Sequence, residues 1–242
     1  MQATGRQDVV IGLDEAGRGP ILGPMVMACV ALDSAAAARL AERGVTDSKR
    51  FGAGWKAHAA RAELCAEILA VAAHTEVLTI EVAEIDTRTA RGELNRLEQE
   101  HAARLIDRAP PAARVFADGA RIFAPLRARY PHLHAEDRAD SLHVAVSAAS
   151  LLAKVRRDEL WLAICGRYQP EFGEVLTGYC GGGYLNAATR RFLRAYCARY
   201  RQIPPEGRRS WPWDFVRDLL EPAEWAAAAR YRDSELQLPG FE

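Results

Sequence analysis

Residues 8–20 read DVVIGLDEAGRGP and contain the strongest indication of how the chain folds. The first six of these residues are largely apolar and β-branched, which is typical of a buried strand. Asp14 and Glu15 follow that strand directly, and a glycine-rich turn at 17–19 comes next. In open α/β sheets, functional groups gather beyond the strand ends because the strands fix their positions. The stretch therefore predicts an α/β protein with acidic residues at one edge of its sheet.

Outward from this stretch, strand patterns alternate with helical patterns along most of the chain. Further strands are predicted at 25–32, 74–80, 114–117 and 132–135, and helices at 55–73, 92–108, 125–130, 147–168 and 187–201. Residues 81–86 are interpreted as the exit from the third strand, and the glycine-rich segment 177–186 as a loop. This order predicts a mixed sheet with helices, followed by a mostly helical C-terminal part.

Composition bounds the class of protein. The 242 residues suffice for one large domain, or for one domain with a small appendage. No apolar run is long enough to span a membrane, no apolar leader begins the chain, and no heptad pattern occurs, so we expect a cytoplasmic monomer. The zero net charge gives no sign of a nucleic-acid partner. The five cysteines form no C-x-x-C pair, which predicts reduced thiols and no zinc site.

Acidic residues stand at three places that the predicted fold would bring together. Asp14 and Glu15 end the first strand, Asp118 ends a later strand, and Asp140 comes shortly before a long predicted helix. Converging carboxylates repel each other unless a cation lies between them, and their oxygens suit Mg²⁺ or Mn²⁺. Two such ions about 3.5–4 Å apart can hydrolyse a phosphodiester. Singly, each acid is also typical of a turn or helix cap, and Asp137 competes with Asp140.

Four blocks of sequence resemble the type 2 ribonuclease H family. They are DEAGRGP at 14–20, DSK at 47–49, DG at 118–119, and Asp140 followed by SAASLLAKVRRD at 147–158. The blocks occur in the family's order, and the resemblance extends from residue 8 to about residue 213. It implies a ribonuclease H-like fold of the α/β class, with a five-stranded mixed sheet flanked by helices and a helical C-terminal part.

The resemblance also implies which acids act in catalysis. The catalytic residues, which also hold Mg²⁺ or Mn²⁺, would be Asp14, Glu15, Asp118 and Asp140. Asp140 is favoured over Asp137 because it has the family's spacing to the SAAS block at 147–150.

Substrate contacts are implied at the glycine-rich turn and at two lysines. An embedded ribonucleotide differs from its neighbours by one 2′-hydroxyl, and backbone groups approach it closely only where side chains are absent. By resemblance, Gly17, Arg18 and Gly19 read that hydroxyl and the adjacent phosphate; the alternative is a simple tight turn. Lys49 and Lys154 are candidate phosphate contacts, although Lys154 could instead neutralise the acid cluster.

In the family, a tyrosine stacks against the sugar beside the ribonucleotide. Tyr184, within GGGYLN, is the best match, but Leu185 stands where many members have proline or a small residue. Tyr179 is therefore the alternative reader of the RNA–DNA junction.

The function that the resemblance implies is cleavage of RNA within a duplex. We expect an endoribonuclease that hydrolyses the RNA strand of RNA–DNA hybrids and cuts 5′ to single ribonucleotides in duplex DNA. A two-metal mechanism would leave 3′-hydroxyl and 5′-phosphate ends. The alternatives are a ribonuclease H that prefers long hybrids, a catalytically silent nucleic-acid-binding protein, and a phosphatase. The four carboxylates disfavour the silent protein, and the GRG and DSK blocks disfavour the phosphatase.

The C-terminal region carries a second hypothesis. The predicted catalytic domain covers residues 1–212 including a helical cap, and residues 213–242 are predicted to form a helical or partly disordered tail. Gln237, Leu238 and Phe241 of this tail resemble a peptide that binds a sliding clamp, which makes such a clamp a candidate partner. A disordered tail without this role is the alternative.

Overall fold

A five-stranded mixed sheet is the main β-structure in the computed structural model, which describes residues 9–46, 55–173 and 182–232. The strands, in sheet order, are β3 (His74–Ile80), β2 (Met25–Leu32), β1 (Val10–Ala16), β4 (Arg114–Asp118) and β5 (Leu133–Glu136). β1 is antiparallel to β2 and parallel to β4, and β4 is parallel to β5. The predicted mixed sheet of five strands is confirmed.

The first strand is longer than its sequence predicts. The apolar run ends at Leu13, but β1 continues because its pairing with β2 extends to Ala16, opposite Val26. Asp14 and Glu15 therefore lie inside the strand, near its carboxyl end, rather than just beyond it. β2 is buried along its whole length and has the predicted bounds.

Helices account for most of the remaining described residues. The α-helices are α1 (Ser34–Glu42), α2 (Trp55–Val71), α3 (Val82–Thr89), α4 (Leu94–Arg108), α5 (Ala120–Phe123), α6 (Val144–Phe172), α7 (Ala187–Tyr200) and α8 (Pro222–Ala229). Further 3-10 helices lie at Ala124–Ala128, Ala139–Ser141 and Asp214–Leu219. The last of these and α8 form the described part of the predicted tail.

Three of the α-helices, α1, α3 and α5, were not predicted from the sequence. α1 is nine residues long and begins after Asp33, whose side chain accepts a hydrogen bond from the Ala36 N–H at 2.7 Å. α3 occupies the segment that we interpreted as the exit from β3, and that interpretation is wrong. Its eight residues are too few for a clear helical period, although Ile85 and Asp86 are both buried.

A glycine allows α6 to pack directly against the central strand. A Cβ atom added to Gly12 would lie 2.1 Å from the carbonyl carbon of Ala145, far inside van der Waals contact. Since Gly12 has no side chain, the first turn of α6 can lie against β1. This contact positions the following turns of α6, which carry Ser150 and Lys154, alongside the strand that contains Asp14 and Glu15.

The chain divides into two compact units. The first comprises residues 1–18, 25–79 and 98–159, and the second comprises residues 19–24, 80–97 and 160–242. Four cysteines within the described ranges are buried: Cys29, Cys65, Cys165 and Cys197. Among the helices of those ranges, none has the length and apolar character needed to cross a membrane.

Candidate active site

Three aspartates meet at one edge of the sheet. Asp14 lies near the carboxyl end of β1, Asp118 is the last residue of β4, and Asp140 lies in the 3-10 turn before α6. Because β1 and β4 are parallel neighbours, their carboxyl ends lie side by side. A carboxylate oxygen from each aspartate lies within 4.8 Å of those of the other two. The structure thus brings together three of the four acids proposed from the sequence.

Hydrogen bonds hold two of these aspartates in place. Asp118 Oδ1 accepts a hydrogen bond from the Ala139 N–H at 3.0 Å, which ties the 3-10 turn to the end of β4. The Ser147 hydroxyl donates to the backbone carbonyl of Asp140, which ties the same turn to α6. The carboxylates are therefore presented by a strand end and a fixed turn rather than by a long loop.

The structure places Asp137 and Asp140 in different surroundings. Asp137 Oδ1 accepts a hydrogen bond from the Ala120 N–H at 2.9 Å, and this residue is not part of the aspartate cluster. Asp140 is part of it, and its Oδ2 lies 4.0 Å from Nζ of Lys154. Lys154 is therefore placed where it can offset the negative charge of the cluster.

The environment of Asp14 disfavours its ionised form. Burial raises the pKa of Asp14 to about 6, and repulsion from Asp118 adds to this effect. The pKa of Asp118 is raised as well, mainly by burial, with a contribution from Asp140. Lys154 and the Glu15 N–H oppose the shift at Asp14 but do not cancel it. The cluster therefore holds more negative charge than the surrounding protein compensates.

Glu15 is partly buried and follows Asp14 directly, but it is not a member of this cluster. Burial, followed by repulsion from Asp14 and Glu98, raises the pKa of Glu15 well above its ordinary value. Its Oε2 atom is buried and has no hydrogen-bond partner in the described structure. A buried carboxylate oxygen without a donor is costly unless a cation binds it.

The residues present fit a divalent cation. The cluster consists of three carboxylates whose oxygens converge, and a fourth carboxylate offers an unpartnered oxygen nearby in the sequence. Such oxygen-only donors suit Mg²⁺ or Mn²⁺ rather than softer metals. A bound cation would remove the repulsion that raises the pKa values of these acids.

The glycine-rich turn continues directly from β1. Gly17 has a φ of 86°, a backbone conformation that favours glycine. Arg18 Nε donates to both carboxylate oxygens of Glu98 at 3.0 Å. The carbonyl of Gly19 accepts a hydrogen bond from Nε1 of Trp211 at 3.0 Å. Hydrogen bonds with Glu98 and Trp211 therefore fix two of the three residues of the turn.

Within the second unit, Tyr184 lies beside Gly19. A Cβ atom added to Gly19 would lie 3.0 Å from the ring of Tyr184. The preceding residue, Gly183, accepts backbone hydrogen bonds from Ile21 and Leu22 at 3.0 and 3.2 Å. The ring itself is half exposed, at 50 % of its maximum. An exposed aromatic ring held against a glycine is suited to stacking on a sugar or base.

Two residues near the site did not emerge from sequence reasoning. Ser150 lies close enough to Asp14 to favour its charged form, although its buried hydroxyl forms no hydrogen bond of normal geometry. Glu98 binds Arg18, although the sequence analysis did not single it out. The sequence did contain a signal, because Glu98 occupies a position on the buried stripe of α4 that is otherwise formed by Leu94, Leu97, His101, Ala102 and Leu105.

Some predicted residues lie outside the described part of the chain. Lys49 of the DSK block falls within 47–54, and Tyr179 falls within 174–181. The clamp-binding residues Gln237, Leu238 and Phe241 fall within 233–242. Their roles stay predictions.

Comparison with known proteins identifies the family. A family model described as Ribonuclease HII matches residues 11–212. Ribonuclease HII of Pyrococcus furiosus is 34 % identical over 240 residues, which cover 95 % of this chain and 96 % of that protein. Ribonuclease HII of Thermococcus onnurineus is 35 % identical over 210 residues, which cover 83 % of this chain and 86 % of that protein.

Solved structures give the same result. Ribonuclease H2 from Pyrococcus horikoshii superposes with a TM-score of 0.72 at 29 % identity, covering 93 % of this chain and 99 % of that one. The PCNA:RNase HII complex from Archaeoglobus fulgidus contains a chain with a TM-score of 0.69 at 31 % identity, with 84 % and 95 % covered. These matches confirm the ribonuclease H-like fold expected from the sequence. The chain belongs to the ribonuclease HII family and is a metal-dependent endoribonuclease that acts on RNA–DNA hybrids.

Proposed function

We propose that this enzyme cuts on the 5′ side of a single ribonucleotide embedded in duplex DNA, using two divalent ions and leaving 3′-hydroxyl and 5′-phosphate ends. The observation that carries the proposal is the convergence of the Asp14, Asp118 and Asp140 oxygens within 4.8 Å. The glycine-rich turn at 17–19 begins three residues after Asp14. Metal chemistry and a group suited to reading ribose are therefore joined by a very short segment of chain.

The proposed metal ligands are Asp14, Glu15, Asp118 and Asp140. When bound, the ions would make a water molecule more acidic and stabilise the departing 3′ oxygen. The protein's own contribution is to fix the ligands: the Ala139 N–H holds Asp118, and Ser147 holds the turn that carries Asp140. Lys154, which is 41 % exposed at the side chain, balances the cluster and is available to contact a phosphate.

Recognition of the ribonucleotide is assigned to the glycine-rich turn. The 2′-hydroxyl is both donor and acceptor, so backbone groups of Gly17, Arg18 and Gly19 can distinguish it from hydrogen. Trp211 supports this assignment, because its hydrogen bond to the Gly19 carbonyl limits the freedom of the turn. Tyr184 is the proposed stacking residue, since its half-exposed ring lies beside Gly19.

The test is cleavage of three labelled duplexes with Mg²⁺ or Mn²⁺: DNA with one ribonucleotide, the same duplex without it, and a uniform RNA–DNA hybrid. We expect a cut 5′ to the single ribonucleotide, an untouched all-DNA duplex, and a product whose 3′ end a DNA polymerase can extend. Asp14→Asn is the inactive control. Cutting of the uniform hybrid alone would contradict the proposal and leave a ribonuclease H that prefers long hybrids.

The stacking role of Tyr184 has a matched control within the same unit. Tyr200 is similarly exposed, at 41 %, so Tyr200→Ala removes an equivalent ring elsewhere. We expect Tyr184→Ala to lower kcat/KM for the single ribonucleotide about tenfold more than for the uniform hybrid, and Tyr200→Ala to leave that ratio unchanged. An unchanged ratio in Tyr184→Ala, with a reduced one in Tyr179→Ala, would transfer the role to Tyr179.

We also propose that the C-terminal tail binds a sliding clamp. The support is the PCNA:RNase HII complex of a 31 % identical protein, together with Gln237, Leu238 and Phe241 in this chain. Binding of the full chain and of a chain ending at residue 232 to immobilised PCNA and to a bacterial clamp tests this. Equal binding by both chains, or no binding by either, would contradict it.

A further inference from the structure

Glu98 is the most completely buried acid near the glycine-rich turn. Its side chain is 0 % exposed, and both of its oxygens accept hydrogen bonds from Arg18 Nε at 3.0 Å. A buried carboxylate is strongly destabilising unless a cation or several donors compensate it. The contact therefore fixes where the Arg18 guanidinium lies, although Arg18 itself remains 31 % exposed.

A second, partly buried carboxylate stands close to Arg18 in the chain. Arg18 follows Glu15 by three residues in the chain. Yet Oε2 of Glu15 accepts no hydrogen bond. Arg18 and Glu15 are thus close along the chain, while Arg18 Nε is directed to Glu98.

A guanidinium bound to Glu15 would compete with a metal ion. Arginine binds carboxylates through paired hydrogen bonds that occupy the oxygens a cation would use. Its positive charge would also repel a divalent ion at that oxygen. The direction in which Arg18 is held therefore decides whether Glu15 can serve as a ligand.

We propose that Glu98 is a positioning residue that holds the Arg18 guanidinium away from Glu15 and so leaves the Glu15 carboxylate open to a divalent cation. This inference rests on the proposed role of Glu15 as a metal ligand. It gives Glu98 a function beyond its ion pair with Arg18, because an ion pair with a purely structural role would affect stability and not the affinity for metal.

The experiment is calorimetric titration of the full chain with Mn²⁺ alone, without nucleic acid. Glu98→Gln keeps the shape of the side chain but removes its charge, so it should release Arg18 toward Glu15. We expect its Kd for Mn²⁺ to rise about tenfold, which corresponds to about 1.4 kcal/mol. In the double variant Glu98→Gln with Arg18→Met, the competing cation is absent, and Mn²⁺ affinity should return to the wild-type value.

A matched control comes from an ion pair with the same geometry elsewhere in the first unit. Arg43 Nε donates to both oxygens of Glu67 at 2.9 Å, and neither residue belongs to the proposed site. Glu67→Gln should therefore leave Mn²⁺ binding unchanged. Thermal unfolding in the presence of a chelator measures the purely structural cost of each substitution.

Two results would overturn the proposal. One is wild-type Mn²⁺ affinity in Glu98→Gln; the other is an equal loss in Glu98→Gln and in the double variant, which would mean that Arg18 is not the competitor. If Glu98→Gln does not fold, the double variant still decides, since it is expected to bind Mn²⁺ at least as tightly as the wild type. Failure of the wild type itself to bind Mn²⁺ would instead contradict the proposed metal site.

Discussion

Two buried aspartates, Asp14 and Asp86, have opposite surroundings although their exposure is nearly equal, at 5 % and 3 %. Asp86, on α3, accepts hydrogen bonds from the N–H groups of Arg209 and Ser210 and from the Ser210 hydroxyl, at 2.8, 3.0 and 2.5 Å. Asp14 accepts one from the Glu15 N–H and faces other acids.

The difference separates an acid that supports the fold from one that is suited to chemistry. Burial raises the pKa of both carboxyls, but at Asp86 the donors of Ser210 and Arg209 oppose the shift. Asp86 therefore has its partners within the protein and connects α3 to residues 209–210. At Asp14 the Glu15 N–H and Lys154 compensate the charge only in part, and a divalent cation would complete the compensation.

The largest expected effect separates the two aspartates by activity. Asp14→Asn removes a ligand charge from the cluster, so we expect kcat on a single-ribonucleotide duplex to fall by at least about 1000-fold. Asp86→Asn, measured at a temperature where it remains folded, should retain activity within about threefold. Cleavage rates at saturating Mg²⁺ provide the measurement. Comparable losses of kcat in both variants would contradict a catalytic role for Asp14 that Asp86 does not share.

Asp86→Asn should lower the free energy of unfolding although it leaves the activity nearly unchanged. In Asp86→Asn, one carboxylate oxygen becomes an NH₂ group that faces the N–H of Arg209 or Ser210, so a buried donor is left without an acceptor. We expect the free energy of unfolding to fall by about 2–3 kcal/mol, measured by urea denaturation with a chelator present. A loss below about 0.5 kcal/mol would show that these hydrogen bonds do not anchor residues 209–210.

The metal-free protein should lose stability as the pH rises. The pKa of Asp14 is about 6 in the folded protein and near its ordinary value of 3.8 in the unfolded chain, so folding favours the protonated form. The contribution of the protonated Asp14 carboxyl to the free energy of unfolding is therefore complete below about pH 4. It is lost as the pH rises through about 6. We expect this loss to be on the order of 1–3 kcal/mol for Asp14.

The variant Asp14→Asn serves as the control for this pH dependence. Its neutral amide cannot ionise, so the decrease in unfolding free energy between pH 4 and pH 7 should be smaller than in the wild type. Adding Mn²⁺ at pH 7 should stabilise the wild type and have little effect on the variant. Parallel pH profiles for the two proteins would contradict the electrostatic account of the cluster.

The sequence predicted the sheet edge better than the contacts around it. β2 and β3 have the predicted bounds because long apolar or β-branched runs determine them locally. The DEAGRGP block pointed to Asp14, and the family's spacing to the SAAS block at 147–150 pointed to Asp140 rather than Asp137. The bond between Asp86 and Ser210 joins residues 124 positions apart, and no local pattern indicates such a pair. The Arg18–Glu98 pair was missed for the same reason.

The smallest expected effect compares the serine beside each aspartate. The Ser210 hydroxyl donates to Asp86 Oδ1, so Ser210→Ala removes a buried hydrogen bond to a charged group and should lower the unfolding free energy by about 1–2 kcal/mol. Ser150 lies near Asp14, but its hydroxyl makes no hydrogen bond of normal geometry, so Ser150→Ala should change the stability by less than about 0.5 kcal/mol. Urea denaturation of both variants in the presence of a chelator measures these two changes in unfolding free energy. A larger loss in Ser150→Ala would show that Ser150 is a true donor to Asp14 and that the carboxylate cluster is better compensated by the protein than its geometry indicates.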